Sequence, residues 1–542
     1  MVNFGTSGEA VFSDSFVLAT KYGFTGSGTT SDTALIQTAL EDAQTNHKIL
    51  KLPARTSAWV ISKPLFISSP IHVLVDEGAI LKFHDDTDID EAESVQQVHT
   101  SKLWACGMFQ IIDGSADGSI FEFYGTLTTN NNEVADNHPT TLGAGDDPAD
   151  PNNTLSTAAV FAKDATNLKI FGHFTGDAPK VMLHLVDCKG CDVSGFYSDG
   201  NTLANTVGQG QTNTTGFEGC IDCHVHDIHI TDSTAFPFSE VVDFNGGNWR
   251  CSIYNIYAEG VTEECLDINQ SAEISIHDCV FYNCVAAITA SAGTTGIRFG
   301  TYQNNYDGRH SVRNMKISYD SGASLTVASP IIDVQSTVYF ESFHDVTIYF
   351  EDTTNITFSS KLALVRIKNG TGNITILNED TTDIGQDILE LELVESLMTG
   401  LDIQTRLGSG STMVTLLANT ASAIIGRLSV RNRTFAPDGT GESNGTTTNR
   451  TGMDMSAAGG RVFVMLSHQS GLGTGVTGTD IDVKKMYDLI GNAPQPLIFT
   501  DTTRNAIDTS TMQDGFQVWN SDDGAPNWWD GTNWVDATGT TT

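Results

Sequence analysis

The chain has 542 residues, of which 17 % are charged, with 51 Gly against 13 Pro. Its formal net charge of −38 argues against nucleic acid and anionic membrane surfaces as partners, since both need basic patches, and it disfavours a strongly polyanionic substrate. The composition suits a β-rich chain with a large core, many turns and polar outward faces. Nine Cys, an odd number in so long a chain, do not suggest a disulfide framework. Residues Met1 to Phe12 lack the basic start and apolar core of a secretory leader. No apolar run approaches the roughly 20 residues needed to cross a bilayer. Neither an N-terminal export signal nor membrane insertion is therefore expected.

Residues 1–28 are rich in Gly, Ser and Thr and read as a lead-in. Ser31-Asp32-Thr33 then opens Ala34-Leu35-Ile36-Gln37-Thr38-Ala39-Leu40-Glu41-Asp42-Ala43. Apolar residues recur there at helical spacing behind an N-cap candidate at Ser31 or Asp32. A lone amphipathic helix ahead of a solenoid has a ready role, covering the apolar end of the first coil. Short strands follow at Ile49-Leu50-Lys51-Leu52, Ala58-Trp59-Val60-Ile61, Leu65-Phe66-Ile67 and Ile71-His72-Val73-Leu74-Val75, broken by Pro, Ser and Gly. Asp76-Glu77-Gly78 turns the chain into Ala79-Ile80-Leu81-Lys82-Phe83.

The run Gly26-Ser27-Gly28-Thr29-Thr30-Ser31-Asp32-Thr33-Ala34-Leu35-Ile36-Gln37-Thr38-Ala39-Leu40, followed by Leu50-Lys51-Leu52-Pro53-Ala54 and Gly78-Ala79-Ile80-Leu81, carries a family resemblance. It resembles the start of pectate-lyase-like β-helix proteins, and most closely phage tailspike depolymerases. Those typically begin G-D-G-x-x-D-D-T-x-A-I-Q-x-A, continue L-x-x-P-x-G-x-Y and turn at G-A-x-L. Ser27 stands where the family usually has Asp, and Arg55-Thr56 where it usually has Gly; both departures touch a turn. The resemblance covers roughly residues 20–430. It implies an all-β, right-handed parallel β-helix, a homotrimer, and a bacterial surface polysaccharide bound along an outer groove.

Residues 85–101 are polar and acidic and read as a loop. Residues 130–155 and 201–215 are rich in Asn, Gly, Thr and Asp; so long a structureless segment is either a binding loop or a plain surface excursion. Between Val181 and Ala290 four segments line up one beneath another: His184-Leu185-Val186-Asp187-Cys188, Gly216-Phe217-Glu218-Gly219-Cys220, Asp243-Phe244-Asn245-Gly246-Gly247 and Asp267-Ile268-Asn269-Gln270-Ser271. Each is followed by a second apolar-alternating run, and the unit is about 20 to 35 residues, the signature of a parallel β-solenoid. The alignment stacks Cys188 over Cys220, and Cys191 over Cys223 near Cys251, which favours buried side chains over the zinc that two C-x-x-C pairs would otherwise suggest.

Successive strand side chains face opposite sides. Leu183, Leu185, Phe217, Val242, Phe244, Leu266 and Ile268 should point inward, leaving His184, Gly216, Glu218, Asp243, Asn245, Asp267 and Asn269 on one outer face. Stacked strands lie about 4.8 Å apart, so Asp243 and Asp267 should sit roughly 5 Å apart at the backbone. Two carboxylates so placed repel by about 1 kcal/mol or more, an arrangement an ordinary surface avoids. It suits glycoside hydrolysis, which needs a carboxylic acid and a second carboxylate: about 5 to 5.5 Å for retention, about 6.5 to 9.5 Å for inversion. Glu218, one coil from Asp243 and two residues along, is about 8 Å away by the same strand geometry. The resemblance implies inversion, and so favours the Glu218–Asp243 pair.

Glu240 and Glu264 stand three residues before the two Asp and join the catalytic candidates. His184, Asn245, Asn269, Trp249 and Tyr302 are the candidate sugar contacts. Alternation puts His224, His226 and His229 on one face, a weak metal candidate. The stronger rival is a calcium site from Asp243 and Asp267, as the resemblance to pectate lyases implies. Lyase chemistry also needs a base and a cation near the sugar carboxylate. Arg250, Arg298, Arg309 and Arg313 are available, but none falls in the Asp243/Asp267 column until Arg366, which favours hydrolysis. No metal or other cofactor is expected.

Further first strands are expected at Pro330-Ile331-Ile332-Asp333-Val334-Gln335, Ala363-Leu364-Val365-Arg366-Ile367-Lys368, Ile388-Leu389-Glu390-Leu391-Glu392-Leu393 and Met413-Val414-Thr415-Leu416-Leu417, with the helix ending in the Gly-, Thr- and Asn-rich residues 435–454. The last fifty residues hold four of the seven Trp, and Trp529-Asp530-Gly531-Thr532-Asn533-Trp534-Val535-Asp536 resembles the close of the small C-terminal β module of many phage tail proteins. Packing is the expected role of those Trp. The chain thus divides into a lead-in (1–28), a helix cap with the first coils (29–84), a parallel β-helix with inserted loops (85–455) and a C-terminal β module (456–542) for trimer contact or attachment. The expected function is a phage tailspike that depolymerises a bacterial surface polysaccharide by hydrolysis, with a lyase or a non-catalytic receptor-binding fibre as alternatives.

Overall fold

The computed structural model describes residues 16–23, 28, 30–83, 95–96, 104–129, 155–177, 181–198, 213–231, 240–291, 298–299, 302–303, 308–320, 325–335, 338–380, 384–405, 411–418, 420, 423–432, 451–454, 462–470, 474–477, 498–499, 517–520, 522, 525–529, 532–536 and 541. Two compact units divide it: Met1–His310 with Gln335–Val338, and Ser311–Val334 with Tyr339–Thr542. The loop residues 130–154 and 201–212, taken above as possible binding loops, lie outside the described residues.

The first unit opens on strand Phe16–Leu18 and helix α1, Thr33–Thr45. Ile36, Ala39, Leu40, Ala43 and Gln44 form the buried face of α1, the face its spacing predicts. Asp32 is the N-cap residue, yet its carboxylate does not cap. It accepts from Arg55 Nη2 at 2.9 Å and from the Val60 amide at 3.2 Å. Arg55 lies 3.6 Å from the Trp59 ring centroid. The residue that departs from the family's turn glycine therefore ties the helix start to the first coil through a buried ion pair.

From there the strands stack in parallel. Ile49–Leu52 pairs with His72–Val75, and Trp59–Ile61 with Ile80–Phe83. In the repeat region the first strands are β1 (Val181–Val186), β3 (Asn213–Glu218), β5 (Glu240–Asn245), β7 (Glu264–Asn269) and β9 (Ala286–Ser291). The second strands are β2 (Asp192–Ser194), β4 (His224–Ile230), β6 (Ser252–Glu259) and β8 (Ser275–Tyr282). The pairing runs β1-β3-β5-β7-β9 and β2-β4-β6-β8, all parallel, and β4 also pairs in parallel with Phe196–Ser198 of the preceding coil. That is the pairing of a β-helix, in which each coil repeats the path of the one before.

The interior holds stacks of like side chains. Leu183, Leu185, Phe217, Val242, Phe244, Leu266 and Ile268 are fully buried, as alternation requires. The Phe217 and Phe244 rings meet at 5.1 Å; burying each ring contributes about 1.5–3 kcal/mol. All nine Cys are free thiols in the wall or core, and Cys191 N–H donates to Cys223 Sγ at 3.4 Å, so the Cys columns are stacked. The corner after each first strand is a left-handed residue: Asp187, Gly219, Gly246 and Gln270, with φ of 51°, 64°, 68° and 51°. Left-handed residues recur at Asn167, Gly190, Asp222, Arg250 and Glu273, and again at Gly172, Gly195, Asp227, Asn255 and Asp278, which form a later corner. At Asp227 this corner resets alternation within β4, so His224, His226 and His229 all face away from the core. They are partnered there: His226 binds Asp192 at 2.8 Å and Asp227 at 2.7 Å, and His229 stacks between Tyr197 and Tyr257.

In the second unit the expected first strands are in register, Ile332 on Ala363, Ala363 on Leu389 and Leu389 on Val414. Parallel pairing continues beyond the expected end at 435–454. Thr451–Asp454 pairs with Thr412–Leu416 and then with Thr474–Thr477, and Val462–Ser470 pairs with Ala423–Asn432. The last four residues of the Gly-, Thr- and Asn-rich segment, Thr451–Asp454, are thus themselves a strand of a further coil. A small antiparallel sheet, Gln517–Asn520 with Ala525–Trp529 and Trp534–Val535, closes the described chain. Trp529 and Trp534 pack edge to face at 5.6 Å and are buried.

Candidate active site

The registers place two columns side by side on the face of β1, β3, β5, β7 and β9 turned away from the core. One runs His184, Gly216, Asp243, Asp267, Thr289. In the other, Val186 pairs with Glu218 and Glu218 with Asn245, while two coils on Asn269 pairs with Ser291. Asp243 is in direct register with Asp267, and Glu218 stands diagonally across from Asp243. Asp243, Asn245, Asp267 and Asn269 are all half-buried. Gly216 puts no side chain between His184 and Asp243.

Asn245 Nδ2 donates to Asp243 Oδ2 at 3.2 Å. Asn269 Oδ1 accepts from Ser291 Oγ. The two amides are thus tied into the columns rather than free to swing. Asp267 is held well above the usual carboxylate range by burial first, then by the charge of Asp243 and of Glu264 and Glu263. It is the member of the pair whose surroundings favour the protonated form.

Glu218 is only 8 % exposed, and His184 Nε2 donates to its Oε1 at 3.1 Å. His184 is itself 3 % exposed and packs edge-on against Phe161 at 5.4 Å. The sequence offers His184 as a sugar contact; the structure spends its ring on Glu218. Trp249 bridges Ile221 and Ala272 at the corner beyond the columns, with the Arg250 guanidinium 4.2 Å from its ring centroid. Tyr302 lies in a two-residue antiparallel pairing with Phe299, apart from the columns, and its side chain is outside the described residues.

Glu240 and Glu264 open β5 and β7. Val241 and Val242 are both buried, as are Cys265 and Leu266. This break in alternation returns the two Glu to the side of Asp243 and Asp267. Glu240 is fully buried, and neither of its carboxylate oxygens has a hydrogen-bond partner among the described residues. Burial, then the charges of Asp243, Asp267, Glu264 and Glu263, push it up to about 10. So enclosed a carboxyl does not meet a glycosidic oxygen. Oxygens of Glu240, Glu263 and Glu264 lie within 4.8 Å of one another, and Thr289 Oγ1 donates to Glu264 Oε1 at 3.4 Å. Glu263 is the member of this group that sequence reading missed. It precedes β7 by one residue, where strand alternation gives no direction.

No family model matches the chain, and no curated protein matches it in sequence. Among solved structures it is similar to the family 28 exopolygalacturonase of Yersinia enterocolitica, with a TM-score of 0.44 and 11 % identity over 86 % of this chain and 78 % of that one. It is also similar to tailspike protein 3 of bacteriophage CBA120, with 0.43 and 13 % over 97 % and 70 %. A third likeness is to PfbA, a surface protein and adhesin of Streptococcus pneumoniae, with 0.41 and 11 % over 87 % and 100 %. None reaches a TM-score of 0.5, and the fold itself rests on the strand registers.

Proposed function

We propose that the chain is a phage tailspike that binds a bacterial surface polysaccharide and cleaves it by endo-acting glycosidic hydrolysis on the outer face of the first unit. The observation that carries the reading is the direct register of Asp243 on Asp267. Two carboxylates carried in register on strands about 4.8 Å apart repel, and an ordinary wall would not keep them in one column.

Asp267, whose surroundings favour the protonated form, gives its proton to the glycosidic oxygen as the bond to the anomeric carbon breaks. Asp243, an acceptor from Asn245, attacks that carbon from the opposite face. Water then cleaves the glycosyl ester, with Asp267 taking the water's proton back. Roughly 5 Å between the two suits this retaining course. The burial of Glu218 against His184 supports giving the second role to Asp243, and leaves Glu218 as the partner of His184 behind it. Asn245 and Asn269 are placed to meet sugar hydroxyls. The homotrimer and the location on a virion belong to the same reading and rest on the resemblance of the chain's opening motifs.

The test is to incubate the chain with capsular, exopolysaccharide and O-antigen preparations. Reducing ends and the absorbance of unsaturated uronates are then measured together. Reducing ends without absorbance support hydrolysis, and both together mean a lyase. Binding with neither signal means a receptor-binding fibre.

A further inference from the structure

We infer that Glu240, Glu263 and Glu264 form a binding site for a hard divalent cation, calcium above all, set in the wall of the first unit beside the Asp243–Asp267 pair. One oxygen from each carboxylate comes within 4.8 Å of the other two. Glu240 is wholly buried, its carboxylate is one corner of that triangle, and neither of its oxygens has a hydrogen-bond partner among the described residues. A buried polar group is ordinarily satisfied. A group with two empty acceptors, aimed at two more carboxylates, has the environment a cation would complete.

The placement is built by the coil. Glu240 and Glu264 open the first strands of adjacent coils, three residues before Asp243 and Asp267, which are in register. The double burial of Val241-Val242 and of Cys265-Leu266 turns both Glu to one side. Glu263 adds a third carboxylate from the turn. Oxygen-only, carboxylate donors select calcium, magnesium or manganese over zinc or copper. Ligands on opposite sides of a calcium ion, at about 2.3–2.6 Å each, lie up to roughly 5 Å apart, which this triangle accommodates. The smaller magnesium ion demands a tighter and more regular shell.

Such an ion would offset two charges of the Glu240, Glu263 and Glu264 group without touching the sugar. Burial and Asp243, the two leading causes of Asp267's preference for its proton, would remain. The site therefore stands whether or not the chain cleaves polysaccharide. It departs from the expectation from sequence that no metal is held, and it uses residues other than the Asp243 and Asp267 of the rival calcium reading.

The full chain is stripped with a chelator, desalted and titrated with calcium chloride by calorimetry. Melting is followed in parallel against sodium chloride of equal ionic strength. One ion per chain should bind, with a melting temperature that rises and saturates. Glu240→Gln, close to isosteric, should abolish both signals. Glu263→Gln, on a half-buried side chain, should weaken binding about tenfold or more, the loss that removing even an outer partner of a metal site produces. Should Glu240→Gln fail to fold, Glu263→Gln decides alone. Absence of heat and of any melting shift up to roughly millimolar calcium would overturn the inference. So would wild-type binding in Glu263→Gln or in folded Glu240→Gln. A calcium-silent wild type that melts higher as Glu240→Gln would identify Glu240 as a neutral buried acid.

Discussion

Asp243 and Asp267 differ from the surrounding polar face in one respect: they repeat a charge where neighbouring coils place Gly and Thr. Their surroundings differ: burial and neighbouring carboxylates hold Asp267 well above the usual carboxylate range, and Asp243 accepts from the Asn245 amide, so in the proposed reaction they suit different roles. Cleavage through this pair predicts that the first-formed product keeps the anomeric configuration of the substrate, read by proton NMR within the first turnovers. Inverted product would transfer the second role to Glu218. Replacing His184 by Ala leaves Glu218 buried without its donor. That should lower stability by about 1–3 kcal/mol in denaturant melts, and an unchanged melt would show that the bond contributes nothing. At this scale the sequence was readable as far as alternation held. Asp243, Asn245, Asp267 and Asn269 face the way a period of two requires. Glu240 and Glu263 were not readable, because paired buried residues and a turn break the period just where they stand. The burial of His184 was hidden as well, since Phe161, which covers it, lies more than twenty residues earlier in the chain.

At the scale of strands and corners, identical corners stacked on one another set what each position accepts. Gly195 has φ of 84°, and a Cβ there would stand 2.2 Å from the Gly172 carbonyl oxygen. Gly195→Ala should therefore cost more than about 2 kcal/mol, visible as a fall in melting temperature, and a wild-type melt would contradict the close stacking of these corners. His310 is buried, accepts at Nδ1 from the Ile274 amide at 3.3 Å, and is lowered by burial to about 3. The folded ring is neutral while the unfolded one takes a proton near 6.5. The unfolded state thus binds more protons between about 6.5 and 3, and stability falls as pH drops through that window. The loss is up to about 1.4 kcal/mol per pH unit. Melts from pH 7 to 4 should show this slope, and His310→Leu should flatten it; equal slopes would contradict it. The strands within residues 49–83, 181–290 and 330–417 were legible, because a coil that stacks in register must repeat its apolar pattern, whereas Trp104–Ile111 and Leu155–Lys163 were not. The end of the helix was not. A Gly-, Thr- and Asn-rich segment looks the same in sequence whether or not another coil follows, and here Thr451–Asp454 at its end and Val462–Ser470 beyond it continue the stack.

For the whole molecule the dominant quantity is the charge of −38. Self-repulsion of that size should be relieved by salt. Raising sodium chloride from about 10 to about 150 mM shortens the screening length from about 30 to about 8 Å, so the melting temperature should rise by a few degrees. A melt independent of salt would mean that the charges are already compensated. Such a surface also argues against nucleic acid or anionic lipid as a partner. The proposal that the polar columns along the coils cleave a polysaccharide stands or falls with one pair of residues. The direct measurement is release of reducing ends from a polysaccharide the wild type degrades, with bound polysaccharide followed separately, for Asp243→Asn and Asp267→Asn. Each variant should lose at least about a hundredfold in rate while still binding; full activity in both would contradict the assignment of the site.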